Sequence, residues 1–404
     1  MKFRERTMLI GVALLSWTFP RFGFLKITEL LALLNLPYAL ASKKTLRIST
    51  ICFAPFLILT IIAALVGVSS LGSGDNSLSS NKLFYSSPEL TIFFTFFRTL
   101  IFILFVTSLL HFFRTSSNFI LSRSLNWIYI LTLLPGLLQV VRIYSGFYFD
   151  IPFFERAEVG PFSGIFDAGY LRIMGFDFEP LSYATSISVA CCLRFYARGR
   201  IPLLGLVLLG HTLSLGAIVA FTASLFFAYH YRFRIMLVPL YLFFLIVSSI
   251  FLWINLDEIL RFFLLSLSVS ERLNAWASCI NMWLDNPLGV GLGLYSYFHN
   301  FYDRIGMVAP KLDHFPNNDP MMFLANGGVP YLVAYLWIFH YGLCSTKSRW
   351  IRVALMGLLV QSTSSFLIFN PAAAVVIALA LSGRTLPPPL LTRWNFHMIR
   401  GSER

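Results

Sequence analysis

Long apolar runs separated by short polar segments dominate this chain. A helix needs about 20 apolar residues to cross the hydrocarbon core of a bilayer. A segment in lipid must also satisfy its own backbone hydrogen bonds, so each run is expected to be helical. The predicted spans are residues 7–22, 24–42, 48–69, 90–113, 125–141, 180–196, 201–213, 214–230, 235–255, 324–344, 351–369 and 371–384. The pattern predicts an all-α integral membrane protein with about 12 transmembrane helices, although 201–230 and 351–384 each also fit one bent helix.

The basic residues concentrate at one set of loop ends, which predicts the orientation of the chain. Cytoplasmic loops are enriched in Lys and Arg. With a cytoplasmic N-terminus, that side holds 20 of the 31 basic residues and 2 of the 18 acidic ones, a net +18, and the rest of the chain sums to −5. Both termini are therefore predicted to be cytoplasmic. Because the basic excess reports topology, nucleic acid is not expected as a partner.

This topology leaves two long periplasmic loops in a single polytopic domain that covers residues 1–404. The first is 142–179, and the main one is 256–323, where short amphipathic helices and the active site are expected. The composition, 57% hydrophobic and 12% charged, excludes a soluble globular enzyme and a disordered chain. The five cysteines show no CxxC spacing, so neither a metal site nor a disulfide framework is expected.

The main loop contains a predicted helix followed by a glycine-rich turn. Ser268 and Glu271 have the spacing of a capping box, and Asp285 precedes an Asn-Pro pair that ends the helix. The apolar residues repeat at helical spacing and form one face, made of Leu273, Trp276, Ala277, Ile280, Trp283 and Leu284. The following PLGVGLG has no preceding strand, so a nucleotide-binding loop is disfavoured, and a turn that lets the backbone approach a neighbour is favoured.

Three arginines are candidate ligands for a phosphate group. Arg272 lies in the first turn of the predicted helix, where free N–H groups and a guanidinium both favour an anion. Arg172 precedes the sixth span, and Arg98 lies inside the fourth span, where a charge usually faces the bundle interior. The alternatives are ion pairs: Arg272 with Glu271 or Asp285, Arg172 with Asp177 or Glu179, and Arg98 with Glu29, or snorkelling of Arg98.

A polar block before the tenth span supplies candidate proton acceptors. His314 has the side chain whose ordinary pKa best suits proton transfer near neutrality, and Asp319 is the alternative general base. Asn317 and Asn318 lie between them as candidate substrate ligands. The competing interpretation of His314 is a surface histidine without a catalytic role.

The run SERLNAWASCINMWLDNPLGVGLGLYSYF and the later NNDPMMFLANGGVPYL resemble the signature region of bacterial O-antigen polymerases and O-antigen ligases. The segment from Arg172 to Glu179-Pro180 is similar to the Arg-x-x-Gly turn of that family, and the span pattern and length are similar too. The resemblance implies a metal-independent glycosyltransferase without a cofactor at the periplasmic face of the bacterial inner membrane. Its donor would be a glycan on undecaprenyl pyrophosphate, with Arg272 and Arg172 holding the pyrophosphate.

One departure from the family pattern bears on the reaction. Ligases have a histidine directly before the asparagine of this block, whereas here Asn317 precedes Asn318 and the nearest histidine is His314. This favours a polymerase that joins lipid-linked repeat units, with a ligase onto lipid A core as the alternative and a lipid-linked oligosaccharide transporter as the alternative of another class. The expected partners are the lipid-linked glycan, the bilayer and a chain-length regulator protein.

Overall fold

Helices follow the apolar runs in a computed structural model of the protein. The structure describes residues 21–22, 25–26, 29–30, 33–72, 87–145, 165–167, 170–172, 180–199, 202–212, 214, 217–218, 220–222, 224, 267–302, 318–363 and 367–386. The helices are α1 (Leu36–Ala41), α2 (Lys43–Gly72), α3 (Pro88–Thr115), α4 (Asn118–Ser145), α5 (Pro180–Arg198), α6 (Leu203–His211), α7 (Leu267–Asp285), α8 (Tyr295–Tyr302), α9 (Asp319–Ser345), α10 (Arg349–Gln361) and α11 (Pro371–Ser382). Two antiparallel hairpins pair β1 (Arg21–Phe22) with β2 (Leu25–Lys26) and β3 (Ile165–Asp167) with β4 (Tyr170–Arg172).

Four helices of the described part are long and apolar enough to cross a membrane: α2, α3, α4 and α9. They confirm the predicted spans 48–69, 90–113, 125–141 and 324–344 as helices. Side-chain caps define where several helices begin. Ser87 accepts a hydrogen bond from the Leu90 N–H at the start of α3, and Asn370 accepts one from the Ala372 N–H at the start of α11.

Other predicted spans differ from the observed elements. Residues 24–42 do not form one helix, because Leu25–Lys26 is strand β2 and residues 34 and 35 form a turn before α1. Pro37 at the start of α1 has no N–H to continue a helix from upstream. The predicted span 351–369 ends as a helix at Gln361, and residues 362–363 and 367–370 are not helical before α11 begins, so two helices replace one bent helix. The predicted span 7–22, apart from Arg21–Phe22 in strand β1, the span 235–255 and most of 214–230 lie outside the described residues, so the total of twelve remains a prediction.

Aromatic contacts join α2 to α9 in the main hydrophobic core. The ring of Phe56 stacks on that of Tyr331 at a centroid distance of 5.2 Å and meets Phe323 edge-on at 5.4 Å. The Tyr331 hydroxyl lies 3.0 Å from the Thr60 hydroxyl, so this buried polar group is satisfied within the interface. These contacts fix the part of α9 from which the candidate site is built.

A second core joins α4 to α5 through one tyrosine. The Tyr183 hydroxyl donates to the Thr132 carbonyl at 2.8 Å and accepts from the Gly136 N–H at 2.9 Å. It therefore sits between a carbonyl and the N–H four residues later, next to Pro135 within α4. A side chain that enters the helical hydrogen-bond ladder in this way is a recognised cause of helix bending.

The orientation of the chain is testable with two exposed positions. Leu288, 64% exposed, follows α7 in the predicted periplasmic loop, and Cys344 is exposed at the predicted cytoplasmic end of α9. Cys279 is fully buried, and burial raises the pKa of its thiol well above the ordinary value, so it should react poorly. In intact spheroplasts, we expect an impermeant maleimide to label Leu288→Cys in a Cys344→Ser background. The unaltered chain should be labelled at Cys344 only after lysis, and the reverse pattern would invert the topology.

Candidate functional site

Helix α7 confirms the helix that the capping pattern predicted. It is buried on more of its surface than the predicted apolar face alone. Its apolar residues Leu273, Ala277 and Ile280 are buried, and so are the polar residues Asn274 and Ser278. It packs against α8 and α9. Leu284, predicted to belong to the apolar face, is 50% exposed. The helix is therefore packed on the spans, and it carries Arg272 in its N-terminal part.

The glycine turn, residues 286–294, joins α7 to two spanning helices through backbone hydrogen bonds. The N–H groups of Val290 and Gly291 donate to the carbonyls of Ala325 and Asn326 in α9, at 2.8 and 3.2 Å. The Leu292 N–H donates to the carbonyl of Ala63 in α2, at 3.0 Å. These three N–H groups are thus bonded to protein, which supports the predicted close approach to a neighbour.

A break in α9 explains why its carbonyls accept these bonds. Gly327 and Gly328 have non-helical backbone angles, with φ of 69° at Gly328, and Pro330 has no N–H to donate to the Asn326 carbonyl. The glycine turn supplies the missing donors. The two segments touch at backbone level, because a Cβ on Gly289 would overlap the nitrogen of Gly327 and a Cβ on Gly328 would overlap the carbonyl of Pro287.

Asn318 caps the start of α9 and reaches the segment that follows α10. Its Oδ1 accepts from the Met321 N–H at 2.9 Å, and its Nδ2 donates to the Thr363 carbonyl at 2.8 Å. The next residue along the chain adds a backbone bond, since the Asp319 N–H donates to the Ser362 carbonyl at 2.9 Å. The polar block before α9 is therefore attached to the loop that separates α10 from α11.

The Asp319 carboxylate holds the same segment, and we call its described residues, 362–363 and 367–370, the anchored loop. Its Oδ2 accepts from the N–H groups of Leu367 and Ile368, at 3.0 and 2.9 Å, and from the Tyr335 hydroxyl at 3.3 Å. The residue is 0% exposed, and Oδ1 has no partner in the part of the chain that the structure describes. This geometry suits a residue that positions the loop better than one that collects protons from a substrate.

Arg98 meets the anchored loop from the other side. Its guanidinium carbon lies 5.6 Å from the ring centroid of Phe369, a cation–π contact, and the residue is half-buried in α3. The structure therefore gathers three predicted site residues, Arg98, Asn318 and Asp319, around one loop. Hydropathy missed this loop because its apolar residues extend the preceding run. The Asn-Pro pair at 370–371, a cap followed by a first-turn proline, is the signal that marks its end.

The other predicted site residues are described in part or not at all. Arg172 ends β4 opposite Ile165, and Arg272 lies in α7, but only their backbones are described. His314 and Asn317 lie outside the described residues. The roles assigned to these four residues, anion binding for the two arginines, base for His314 and substrate binding for Asn317, therefore remain predictions.

Comparison with known families identifies the class of protein. A model of the O-antigen ligase family matches residues 201–336, from just before α6 into α9. No curated protein matches the chain. Together with the four spanning helices, the match defines a multi-pass membrane protein with a role in glycan processing. The resemblance to bacterial O-antigen polymerases and ligases is thereby confirmed, and the matched segment contains Arg272, the glycine turn and the whole polar block before α9.

Proposed function

We propose that this protein is a glycosyltransferase of the inner membrane that polymerises oligosaccharide repeat units carried on undecaprenyl pyrophosphate. The observation that carries the proposal is the O-antigen ligase match over residues 201–336. That segment includes two of the predicted chemical elements, Arg272 and the block from His314 to Asp319. It also contains most of the backbone contacts that hold the end of α7 against α9.

The packing supports a preorganised site. The glycine turn fixes the end of α7 on the broken helix α9, and Asn318 and Asp319 fix the start of α9 on the anchored loop. Both attachments are buried and consist of hydrogen bonds to backbone groups. Groups held in this way lose little freedom when a substrate binds, which is a large part of what catalysis by positioning requires.

The proposed reaction needs a cationic site more than a strong nucleophile. A hydroxyl oxygen of the acceptor glycan attacks the anomeric carbon of the donor, and the bond from that carbon to the pyrophosphate oxygen breaks. The pyrophosphate leaves with the bonding electrons, and the hydroxyl proton passes to a base. Arg272 and Arg172 would stabilise the charge that develops on the leaving group, with no metal or cofactor required. His314 is the proposed base, with Asp319 as the alternative.

Two features distinguish the polymerase from the ligase, and each favours a different one of the two reactions. Asn317 occupies the position where ligases have a histidine, which favours the polymerase. The matching family model is that of O-antigen ligase, which keeps transfer to lipid A core as the second candidate. The acceptor therefore distinguishes them: a second lipid-linked repeat unit for the polymerase, and a core sugar for the ligase.

Extension of a lipid-linked repeat unit by the purified full-length protein tests the proposal. We expect a ladder of lipid-linked oligomers with release of one undecaprenyl pyrophosphate for each new bond. Product that forms only after lipid A core is added would assign the ligase reaction. Movement of the lipid-linked glycan across a vesicle membrane without any new glycosidic bond would replace both enzymes with a transporter.

The two candidate bases are separable by their effects on turnover. If His314 is the base, His314→Ala should lower the turnover rate at saturating donor by at least about 10²-fold. Asp319→Asn should change turnover by less than about tenfold, because an amide oxygen still accepts from Leu367 and Ile368 and a base of this type typically contributes more. The reverse ranking would make Asp319 the base. A loss for His314→Ala confined to apparent substrate affinity would assign that residue to binding.

A further inference from the structure

An open cavity with two arginines in its lining lies at the opposite end of the bundle from the polar block of α9. It has a volume of about 350 Å³ and lies between the first turns of α4 and the last turn of α5. Its lining consists of Phe119, Ser122, Arg123, Asn126, Trp127 and Arg198. The charge distribution predicts that this end is cytoplasmic, so none of these residues belongs to the proposed glycosyltransferase site.

Two arginines give the cavity the chemistry of an anion site. Arg123 and Arg198 are both exposed, and neither forms an ion pair with a carboxylate of the described residues. Arg198 lies in the last turn of α5, where a cation offsets the helix dipole. Arg123 lies near the start of α4, where a cation gains nothing from the dipole. A phosphate between the two forks would be favoured by both guanidinium groups.

The exposed face of α4 has the profile of one bilayer leaflet. Phe119, Arg123, Trp127, Ile130 and Leu134 are exposed and follow one another at intervals of three or four residues, so they share one side of the helix. After Phe119 at the helix start come the charge and then the tryptophan, and the face is apolar beyond them. Arginine and tryptophan are the residues that membrane proteins place at the headgroup level, next to an apolar stripe that faces acyl chains.

Helix α6 widens this apolar surface beside Arg198. It follows α5 and packs against both α4 and α5. Its residues Leu203, Leu204 and Val207 are exposed, so a second apolar surface that can contact lipid lies next to the cationic cavity. A ligand that fits both surfaces has a phosphate at one end and long apolar chains at the other.

We propose that this cavity binds an anionic glycerophospholipid of the predicted cytoplasmic leaflet. The phosphate lies between Arg123 and Arg198, the glycerol region lies against Trp127, and the acyl chains follow the exposed faces of α4 and α6. A lipid with a net negative headgroup, such as phosphatidylglycerol, is preferred to a zwitterionic one, because a second, positive headgroup charge would be repelled by the same arginines.

Native mass spectrometry of the detergent-purified full chain with phosphatidylglycerol and phosphatidylcholine tests the proposal. We expect the unaltered protein to retain phosphatidylglycerol preferentially. The double variant Arg123→Gln with Arg198→Gln should bind it at least about tenfold more weakly, since each arginine near the surface contributes to anionic-lipid attraction. The matched control is Arg47→Gln, which removes an exposed arginine at the same predicted membrane face but outside the cavity.

Several outcomes would overturn the proposal. Equal retention of the two lipids by the unaltered protein would show that the cavity has no preference for an anionic lipid. If Arg47→Gln lost as much phosphatidylglycerol binding as the double variant, the binding would be a general attraction of lipid to surface arginines. Displacement of the bound lipid by millimolar inorganic phosphate would identify free phosphate as the occupant. If the double variant loses its helical circular dichroism, Arg123→Lys replaces it: we expect several-fold weaker phosphatidylglycerol binding, and unchanged binding would contradict a guanidinium site.

Discussion

Replacing Arg272 with alanine is expected to abolish chain extension in cells and to lower the turnover of lipid-linked repeat units by about 10²–10³-fold, the usual cost of removing one group that stabilises developing charge. The reason is that the proposed reaction has no metal, so the arginines alone meet the charge that develops on pyrophosphate. Arg272→Lys should rescue poorly, because an ammonium cannot reproduce the two-point contact of a guanidinium with phosphate. Arg172→Ala should behave like Arg272→Ala.

The control is Arg304→Ala, which removes an arginine from the same predicted periplasmic loop but from outside α7. It should leave polymer length and turnover unchanged. All variants are compared at equal abundance in the membrane, measured by immunoblot, and turnover is measured with purified protein. Polymer of normal length in cells that carry Arg272→Ala would contradict the pyrophosphate-binding role.

Replacing Gly289 with alanine is expected to cause a large loss of stability. Gly289 has a φ of 84°, and the added methyl group would overlap the backbone of α9 at Gly327. The left-handed conformation costs about 1–2 kcal/mol for a residue with a side chain, and overpacking adds about 1–3 kcal/mol. A total near 3 kcal/mol should appear as a clear fall in the apparent melting temperature, measured in detergent by intrinsic fluorescence.

Gly210→Ala is the matched control for this variant. Gly210 lies in α6, and a Cβ built there meets nothing within 4 Å. Alanine should therefore leave stability unchanged or raise it by up to about 1 kcal/mol, as expected in a helix. If Gly289→Ala melts at the temperature of the unaltered protein, the contact between the glycine turn and α9 is not a source of stability.

Local pattern predicted the spanning helices and α7 but not the contacts that join them. Spans such as α2 and α3 are readable because lipid and core both favour apolar residues along the whole helix. The bonds from Val290 to Ala325 and from Leu292 to Ala63 link segments far apart in the chain, and no local periodicity encodes them. The sequence therefore indicated that the glycines permit a close approach to a neighbouring segment, but it did not indicate that this segment is α9 or α2.

The anchored loop shows how a single polar side chain overrides hydropathy. Residues 362–369 were predicted to continue a span because apolar residues are frequent at the end of this segment. Asp319, a residue from another helix, accepts two of their backbone N–H groups and so makes a non-helical path favourable inside the bundle. The sequence placed Asp319 in a polar block with His314 but gave no sign of its bonds to residues 367 and 368.

The attachment of the glycine turn to α9 also sets an order for biosynthesis. The carbonyls of Ala325 and Asn326 would be costly in lipid without the donors that residues 290 and 291 provide. The ribosome makes those donors before α9, so α9 can form these bonds as soon as it has been synthesised. The N-terminal piece therefore acts as a template for the insertion of α9. If the chain were expressed as two fragments divided between residues 303 and 317, the fragments would have to associate in the membrane before these two carbonyls of α9 could form their hydrogen bonds.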